Sequence, residues 1–191
     1  MVSLKQFYKH ALICLVSLSI VIGQNNKLVG EEAPTFYLLD INNKDFFLSQ
    51  SIEKPILINF FATWCIPCIE ELPDLRSFDQ KHANKVKVIL IDESNMAALP
   101  EQKTSKDELI KFIKKENIQF DVLLDKYGIV AKSYQVASMI SNKTNTTQSL
   151  VAVLPATFLI NQKGIILWEK RGKVTAQDLR KLEEEFSEIF N

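Results

Sequence analysis

The chain has 191 residues, 47% hydrophobic and 24% charged, with 23 basic and 23 acidic residues and no formal net charge. That length holds one domain with small extras and a sizeable core, and the composition excludes wholesale disorder. The balanced charge, with only three arginines (Arg76, Arg171 and Arg180), gives no electrostatic case for nucleic acid.

Residues 1–10 carry Lys5, Lys9 and His10, and residues 11–22, ALICLVSLSIVI, are almost all apolar. This is the n-region and h-region of a secretory signal, too short for a comfortable membrane span. Residues 1–23 therefore read as a signal peptide cleaved after Gly23, with an uncleaved membrane anchor as the alternative. Cys14 lies mid-run without a small residue before it, which argues against lipidation. The expected location is outside the cytoplasm: periplasmic, or on the extracytoplasmic face of the membrane. Residues 24–191 carry 21 basic and 23 acidic residues, a net charge of −2.

The remaining chain reads as a single domain. Phe36–Asp40 and Asp45–Leu48, joined by Ile41–Lys44, form a predicted β-hairpin. Pro55–Ala62 (PILINFFA) is a continuous apolar run, the mark of a strand buried on both faces. A helix is predicted from Cys65 to about His82, with Pro67 tolerated in its first turn and Pro73 expected to kink it. Val86–Ile91 is a second strand, and Asp107–Glu116 is an amphipathic helix with Leu109, Ile110 and Ile113 on one face. Phe120–Leu124 is a third strand and Tyr127–Tyr134 a short helix. Ala137–Ser149 is polar and aperiodic at its centre and reads as a long loop, a polar insertion at about 137–150. Val151–Ile160 and Ile165–Glu169, joined by Asn161–Gly164, make a second hairpin. Thr175 caps a final helix to about Phe190, with Leu179, Leu182, Phe186 and Ile189 on its apolar face. Alternating strands and helices argue for an α/β fold, a mixed sheet with helices on both faces.

Once the leader is set aside, Cys65 and Cys68 are the only cysteines. Two cysteines three apart close a tiny loop, which constrains little of the unfolded chain, so a structural disulfide explains them poorly. A structural zinc site needs a second pair of ligands, and the only histidine after the leader is His82. The two histidines also argue against a Ser-His or Cys-His hydrolase. The five scattered glycines form neither a dinucleotide fingerprint nor a P-loop.

The pair stands where a buried strand runs into a helix. A helix amino terminus offers unsatisfied N–H groups and the positive end of its dipole, which stabilise a thiolate. Cys65 is expected to face solvent and to attack a partner disulfide. Cys68, one turn in and more buried, would then resolve the mixed disulfide.

Three segments carry a family resemblance over residues 28–191. Gly30–Phe36 (GEEAPTF), with Leu38 and Asp40, is similar to an AhpC/TSA-redoxin-like amino-terminal extension. Asn59–Cys68 (NFFATWCIPC) holds the thiol pair. Leu154–Asn161 (LPATFLIN) resembles a strand that opens with a cis-proline. Together they resemble the thioredoxin superfamily, specifically the extracytoplasmic TlpA/ResA-like thiol–disulfide oxidoreductases. The resemblance implies a thioredoxin-like fold over residues 24–191 with an amino-terminal β-hairpin extension. It implies a cis Pro155 beside the cysteines, with the Leu154 backbone free to pair with an extended partner.

It further implies that Glu71, one turn past Cys68, is a partly buried acid exchanging protons with Cys68. A solvated helix face shared with Glu70 is the alternative reading. Thioredoxin itself carries an Asp in the strand before the motif, where this chain has Asn59. Trp64 is expected to be a flat contact surface flanking the thiol, with Ile66 and Pro67 as further neighbours of the site. His82 is expected at the surface. The extra residues between Val136 and Leu154 depart from the family pattern. They read either as a device that selects or covers the partner, or as a tolerated insertion.

The implied function is thiol–disulfide exchange with protein partners, with no cofactor beyond the redox-active disulfide. The protein is expected to be a monomeric reductant, serving cytochrome c maturation or a similar task, and itself reduced by a membrane thiol transporter. Three alternatives remain. A disulfide-donating oxidase would typically carry a His inside the motif, where this chain has Ile66-Pro67. Peroxiredoxins set a Pro and a Thr ahead of their peroxidatic Cys, and Ile58 and Ala62 occupy those places. A copper metallochaperone would use the dithiolate as a soft Cu(I) site, generally with an added His.

Overall fold

A computed structural model describes residues 28–96, 103–141 and 148–190. The expected leader, residues 1–23, lies outside the described residues. Among the described residues no helix is long and apolar enough to cross a membrane.

The apolar run predicted at Pro55–Ala62 becomes the central strand β3 (Ile56–Phe61), and all six of its residues are buried. It pairs in parallel with β4 (Lys87–Asp92), and β4 pairs in parallel with β5 (Asp121–Leu124). On its other side β3 runs antiparallel to β8 (Ala156–Ile160), which pairs antiparallel with β9 (Ile166–Arg171). The strand order is β5-β4-β3-β8-β9. Alternation along β3 sends Ile56, Ile58 and Phe60 into one apolar layer and Leu57 and Phe61 into the other.

The second layer is roofed by α2 (Ile66–His82), α3 (Lys106–Lys115) and α5 (Ala176–Glu185). Both α3 and α5 begin with reciprocal capping boxes, Ser105 with Glu108 and Thr175 with Asp178. The first layer is covered by three elements: the hairpin of β1 (Tyr37–Leu39) and β2 (Asp45–Phe47), α1 (Leu48–Ser51) and α4 (Ile129–Ser133). Asp40 bridges to Leu123, which stitches the hairpin to β5. The Gly30 N–H reaches the Ile166 carbonyl at 2.8 Å, tying the start of the extension to β9.

Several expectations are corrected. Ala137–Ser149 is not a loop throughout: β6 (Ala137–Ser141) and β7 (Gln148–Ala152) form an antiparallel ribbon, with Ala137 opposite Ala152 and Ser141 opposite Gln148. The polar centre masked strand-forming ends that find each other only by pairing. The strand expected over Val151–Ile160 is broken at Val153–Pro155, where the Leu154–Pro155 peptide is cis. The final helix ends at Glu185, and a separate short helix α6 (Ser187–Phe190) follows Phe186. Helix α2, by contrast, is uninterrupted through Pro73.

His82 is buried rather than exposed. It sits between the rings of Phe78 and Phe190, at centroid distances of 4.9 and 4.8 Å, with Nε2 2.9 Å from Glu183 Oε1. The reason is its place on the α2 stripe: Cys68, Glu71, Leu72, Leu75, Phe78 and His82 recur at helical spacing and all face inward.

Candidate redox site

Strand β3 ends at Phe61, and Ala62–Trp64 carries the chain to Cys65, the N-cap of α2. The Cys65 N–H is held by the Ala62 carbonyl at 3.1 Å. Cys65 Sγ accepts the Cys68 N–H at 3.3 Å, so the sulfur takes the place that a capping oxygen fills elsewhere. The two cysteines form a disulfide with Cα atoms 5.3 Å apart. Cys65 retains 6% exposure and Cys68 none. The reactive face of Cys65 is thus narrower than the expected solvent-facing position, because the second apolar layer closes around both sulfurs. Ile66 projects beside them with 69% exposure, and Pro67 is exposed too.

Leu154 packs on the apolar cluster that contains both cysteines. Pro155 is buried, and its carbonyl accepts the Gly172 N–H at 2.8 Å. Trp64 is half-buried, its Nε1 donating to the Ser94 carbonyl at 3.1 Å.

Glu71 is fully buried, whereas Glu70 is exposed and paired with Lys173. Glu71 Oε1 accepts from Asn59 Nδ2 at 2.7 Å, and Oε2 accepts the Val174 N–H at 2.6 Å. Asn59 Nδ2 also donates to Thr157 Oγ1 at 3.0 Å, across the β3–β8 pair. Burial pushes the Glu71 carboxyl up to about 7, against the opposing pull of its two donors. The Asn59 Oδ1 is buried with no donor reaching it among the described residues.

A second polar group lies at the end of β4 and was not singled out from sequence. Asp92, Glu93, Ser94 and Asp125 are all buried. Asp92 Oδ1 accepts both from the Ser94 hydroxyl and from the Ser94 N–H. Asp125 accepts the Ile129 and Ala131 N–H groups at 3.0 and 2.9 Å. No donor reaches either Glu93 oxygen among the described residues. Burial, with Asp125 and Asp92 adding to it, pushes the Glu93 carboxyl up to about 11, so Glu93 carries the proton of this group at neutral pH. Burial also pushes Asp92 up, to about 6. The adjacent Asp92-Glu93-Ser94 at a strand end was the only hint in the sequence.

A groove of about 460 Å³ opens between β1 and α4, lined in part by Phe36, Tyr37, Leu39, Leu124, Tyr127 and Ile129, and neither cysteine touches it. Among the described residues no cluster of three or more His, Cys, Asp or Glu is arranged to hold a metal ion.

The model of the AhpC/TSA family matches residues 29–169. The chain is 29% identical over 153 residues to thiol-disulfide oxidoreductase ResA of Bacillus thuringiensis subsp. konkukian, covering 79% of this chain and 74% of that one. It is 28% identical over 151 residues to sporulation thiol-disulfide oxidoreductase A of Bacillus subtilis, covering 78% of each. Among solved structures, StoA of Bacillus subtilis superimposes with a TM-score of 0.58 at 25% identity, over 78% of this chain and 96% of that one. A putative thiol:disulfide interchange protein DsbE of Chlorobium tepidum superimposes with a TM-score of 0.66 at 21% identity, over 85% and 98%. The latter likeness is one of fold.

Proposed function

The chain belongs to the AhpC/TSA family and is a thioredoxin-like thiol–disulfide oxidoreductase, and from that premise we propose that Cys65, Cys68 and Glu71 are its working groups and that it acts as a reductant. The carrying observation is the Cys65 sulfur at the N-cap of α2, accepting the Cys68 N–H at 3.3 Å. A sulfur in that place gains most as a thiolate, since N–H donors and the helix dipole both favour negative charge there.

In the reduced protein the Cys65 thiolate attacks one sulfur of a partner disulfide. A mixed disulfide forms, and the partner's other sulfur leaves as a thiolate that takes a proton from water. Cys68 then loses its proton to Glu71 and attacks Cys65 Sγ. The Cys65–Cys68 bond forms, and the partner's second sulfur departs. Two electrons pass from the dithiol to the partner, and no separate cofactor is required. A carboxyl held near 7 suits Glu71 to this exchange, because it both takes and returns a proton at neutral pH. Trp64, Ile66, Pro67, Leu154 and Pro155 are the neighbours that would receive the partner chain. The exposed Ile66 gives that surface an apolar contact.

The partners we favour are extracytoplasmic protein thiols, such as those of apocytochrome c before haem attachment, with a membrane thiol transporter returning the electrons. Export through residues 1–23 is part of the same reading, as is a monomeric protein of one thioredoxin-like domain over residues 24–191. The reduction potential of the Cys65–Cys68 pair tests the direction, by equilibration with dithiol buffers of known poise. A value near about −270 mV supports a reductant, and one near about −120 mV makes the protein a disulfide donor and overturns the reading.

A further inference from the structure

Two successive residues before Cys65 are held by one buried serine. The Thr63 N–H donates to Ser94 Oγ at 2.9 Å, and the Trp64 indole Nε1–H donates to the Ser94 carbonyl at 3.1 Å. Ser94 is fully buried. It opens the 3₁₀ turn Ser94–Met96, one residue after the end of β4. The end of β4 is itself zipped to the end of β3: Asp92 stands opposite Phe61, and the Glu93 N–H donates to the Phe61 carbonyl at 2.8 Å. Ser94 is therefore placed by the sheet, not by the loop it grips.

The polarity of the grip is set by Asp92. A serine hydroxyl has one hydrogen and can turn it toward any acceptor. Here the hydrogen goes to Asp92 Oδ1, which also accepts the Ser94 N–H at 3.1 Å. With its hydrogen committed to a carboxylate, Ser94 Oγ presents only lone pairs to the Thr63 N–H. A charged acceptor makes that arrangement the strongest available. A further tie joins the same segment to the region after the 3₁₀ turn, where Thr63 Oγ1 and Thr104 Oγ1 lie 2.5 Å apart.

We propose that Ser94, oriented by Asp92, is a positioning residue of the redox site: it fixes Thr63 and Trp64 so that Cys65 arrives at the N-cap of α2 in a single orientation. Ser94 touches neither sulfur through any of these bonds. It acts through the backbone that delivers Cys65 and through the indole beside it. Stabilisation of the Cys65 thiolate depends on the sulfur staying over the first turn of α2, so loosening Ala62–Trp64 weakens that stabilisation. The reduced state loses more than the disulfide state, where the bond to Cys68 already restrains Cys65. The potential accordingly moves to more negative values. The inference rests on the oxidoreductase reading.

The test compares wild type, S94A and S94T as the full chain. Three quantities are read: the reduction potential, the rate of Cys65 alkylation by iodoacetamide at pH 7, and the tryptophan fluorescence change between oxidised and reduced protein. S94A removes the acceptor for a buried N–H, and the expected loss is about tenfold in the exchange equilibrium constant. That corresponds to a potential lower by about 30 mV, with alkylation slowed in proportion and a diminished fluorescence change. S94T keeps the hydroxyl and is expected within twofold of wild type. A purely structural role would weaken both redox states alike and leave the potential in place. If S94A does not fold, D92N supplies the same readouts: its hydroxyl stays but loses its charged acceptor, and a shift in the same direction of at least twofold is expected. S94A, or D92N where S94A does not fold, within twofold of wild type in the exchange equilibrium constant and in alkylation rate overturns the proposal. A wild-type pair that fails to exchange with dithiol buffers overturns the oxidoreductase reading instead, so the two failures are distinguishable.

Discussion

Asn59 and Glu71, twelve positions apart, meet inside the layer between the sheet and α2, with Asn59 Nδ2 donating to Glu71 Oε1 at 2.7 Å. The neutral amide matters. A second carboxyl at position 59 would compete with Glu71 for one proton, whereas the amide supplies a donor to the ionised form. The strand thus moderates the cost of burying the helix acid without removing it, and Glu71 settles near 7.

The first prediction follows from that value. Glu71 is raised in the folded protein relative to its ordinary 4.5, so folding favours its protonated form. Its contribution to stability is complete below about pH 4.5 and is lost as pH rises through 7. Relative to E71Q, the wild type should lose about 3 kcal/mol between pH 4 and pH 8. The glutamine is tolerated because Asn59 can turn its unpartnered Oδ1 toward the new amide donor. Urea unfolding of both oxidised proteins across that range measures the difference. Parallel stability curves would sink the idea that Glu71 titrates while buried.

Glu93 offers a larger window. Its carboxyl is pushed from 4.5 up to about 11, chiefly by burial. The sign is the same, with stability greatest below about pH 4.5 and eroded as pH climbs toward 11. At pH 7 the unfolded chain ionises Glu93 and the folded chain does not. E93Q keeps the neutral, near-isosteric side chain without that penalty. It should be more stable than wild type by about 3 kcal/mol at pH 7 and nearly equal to it at pH 4. Chemical denaturation at the two pH values decides this, and an E93Q less stable than wild type at pH 7 would contradict it.

His82 marks the far end of the same α2 stripe as Cys68 and Glu71. It is enclosed by Phe78, Phe190 and Glu183 and belongs to the packing of the carboxyl-terminal helices. H82A should cost about 2–4 kcal/mol of stability through the cavity it opens. The Cys65–Cys68 potential should stay unchanged, since both redox states lose equally. A shifted potential in H82A would show that the helix transmits strain to the disulfide.

The β6–β7 ribbon enters the strand break that precedes Pro155, and β7 packs against the Ser94–Met96 turn. Replacing Ser138–Val151 by a two-residue turn should leave the potential with small dithiols unaltered. It should change the rate of reduction of a disulfide-bonded protein substrate by tenfold or more. Stopped-flow reduction of one small and one protein disulfide separates the two effects. Equal rates on both would make the ribbon a tolerated insertion.

What the sequence determined alone was local. PILINFFA could only be a strand buried on both faces. Cys65 and Cys68 stood at the strand-to-helix junction that thiol chemistry uses, and Thr175 announced the helix it caps. These features depend on neighbours within one or two turns, where periodicity and capping chemistry are legible. Glu71 and His82 continue the α2 stripe of Leu72, Leu75 and Phe78, but their polarity pointed to a surface position for His82 and left a solvated face open for Glu71, and only the packed helix shows both buried.

The partners of those buried groups were decided only by the tertiary structure. Glu71 takes its donors from β3 and from Val174, 103 residues along the chain. Glu93 owes its proton chiefly to burial, with Asp125, brought near by the parallel pairing of β4 with β5, adding to it. Ser94 reaches Thr63 because the ends of β3 and β4 are in register. A side chain's proton affinity depends on its desolvation and on which charges and donors surround it. Those surroundings are assembled across the sheet, and no window of sequence contains them.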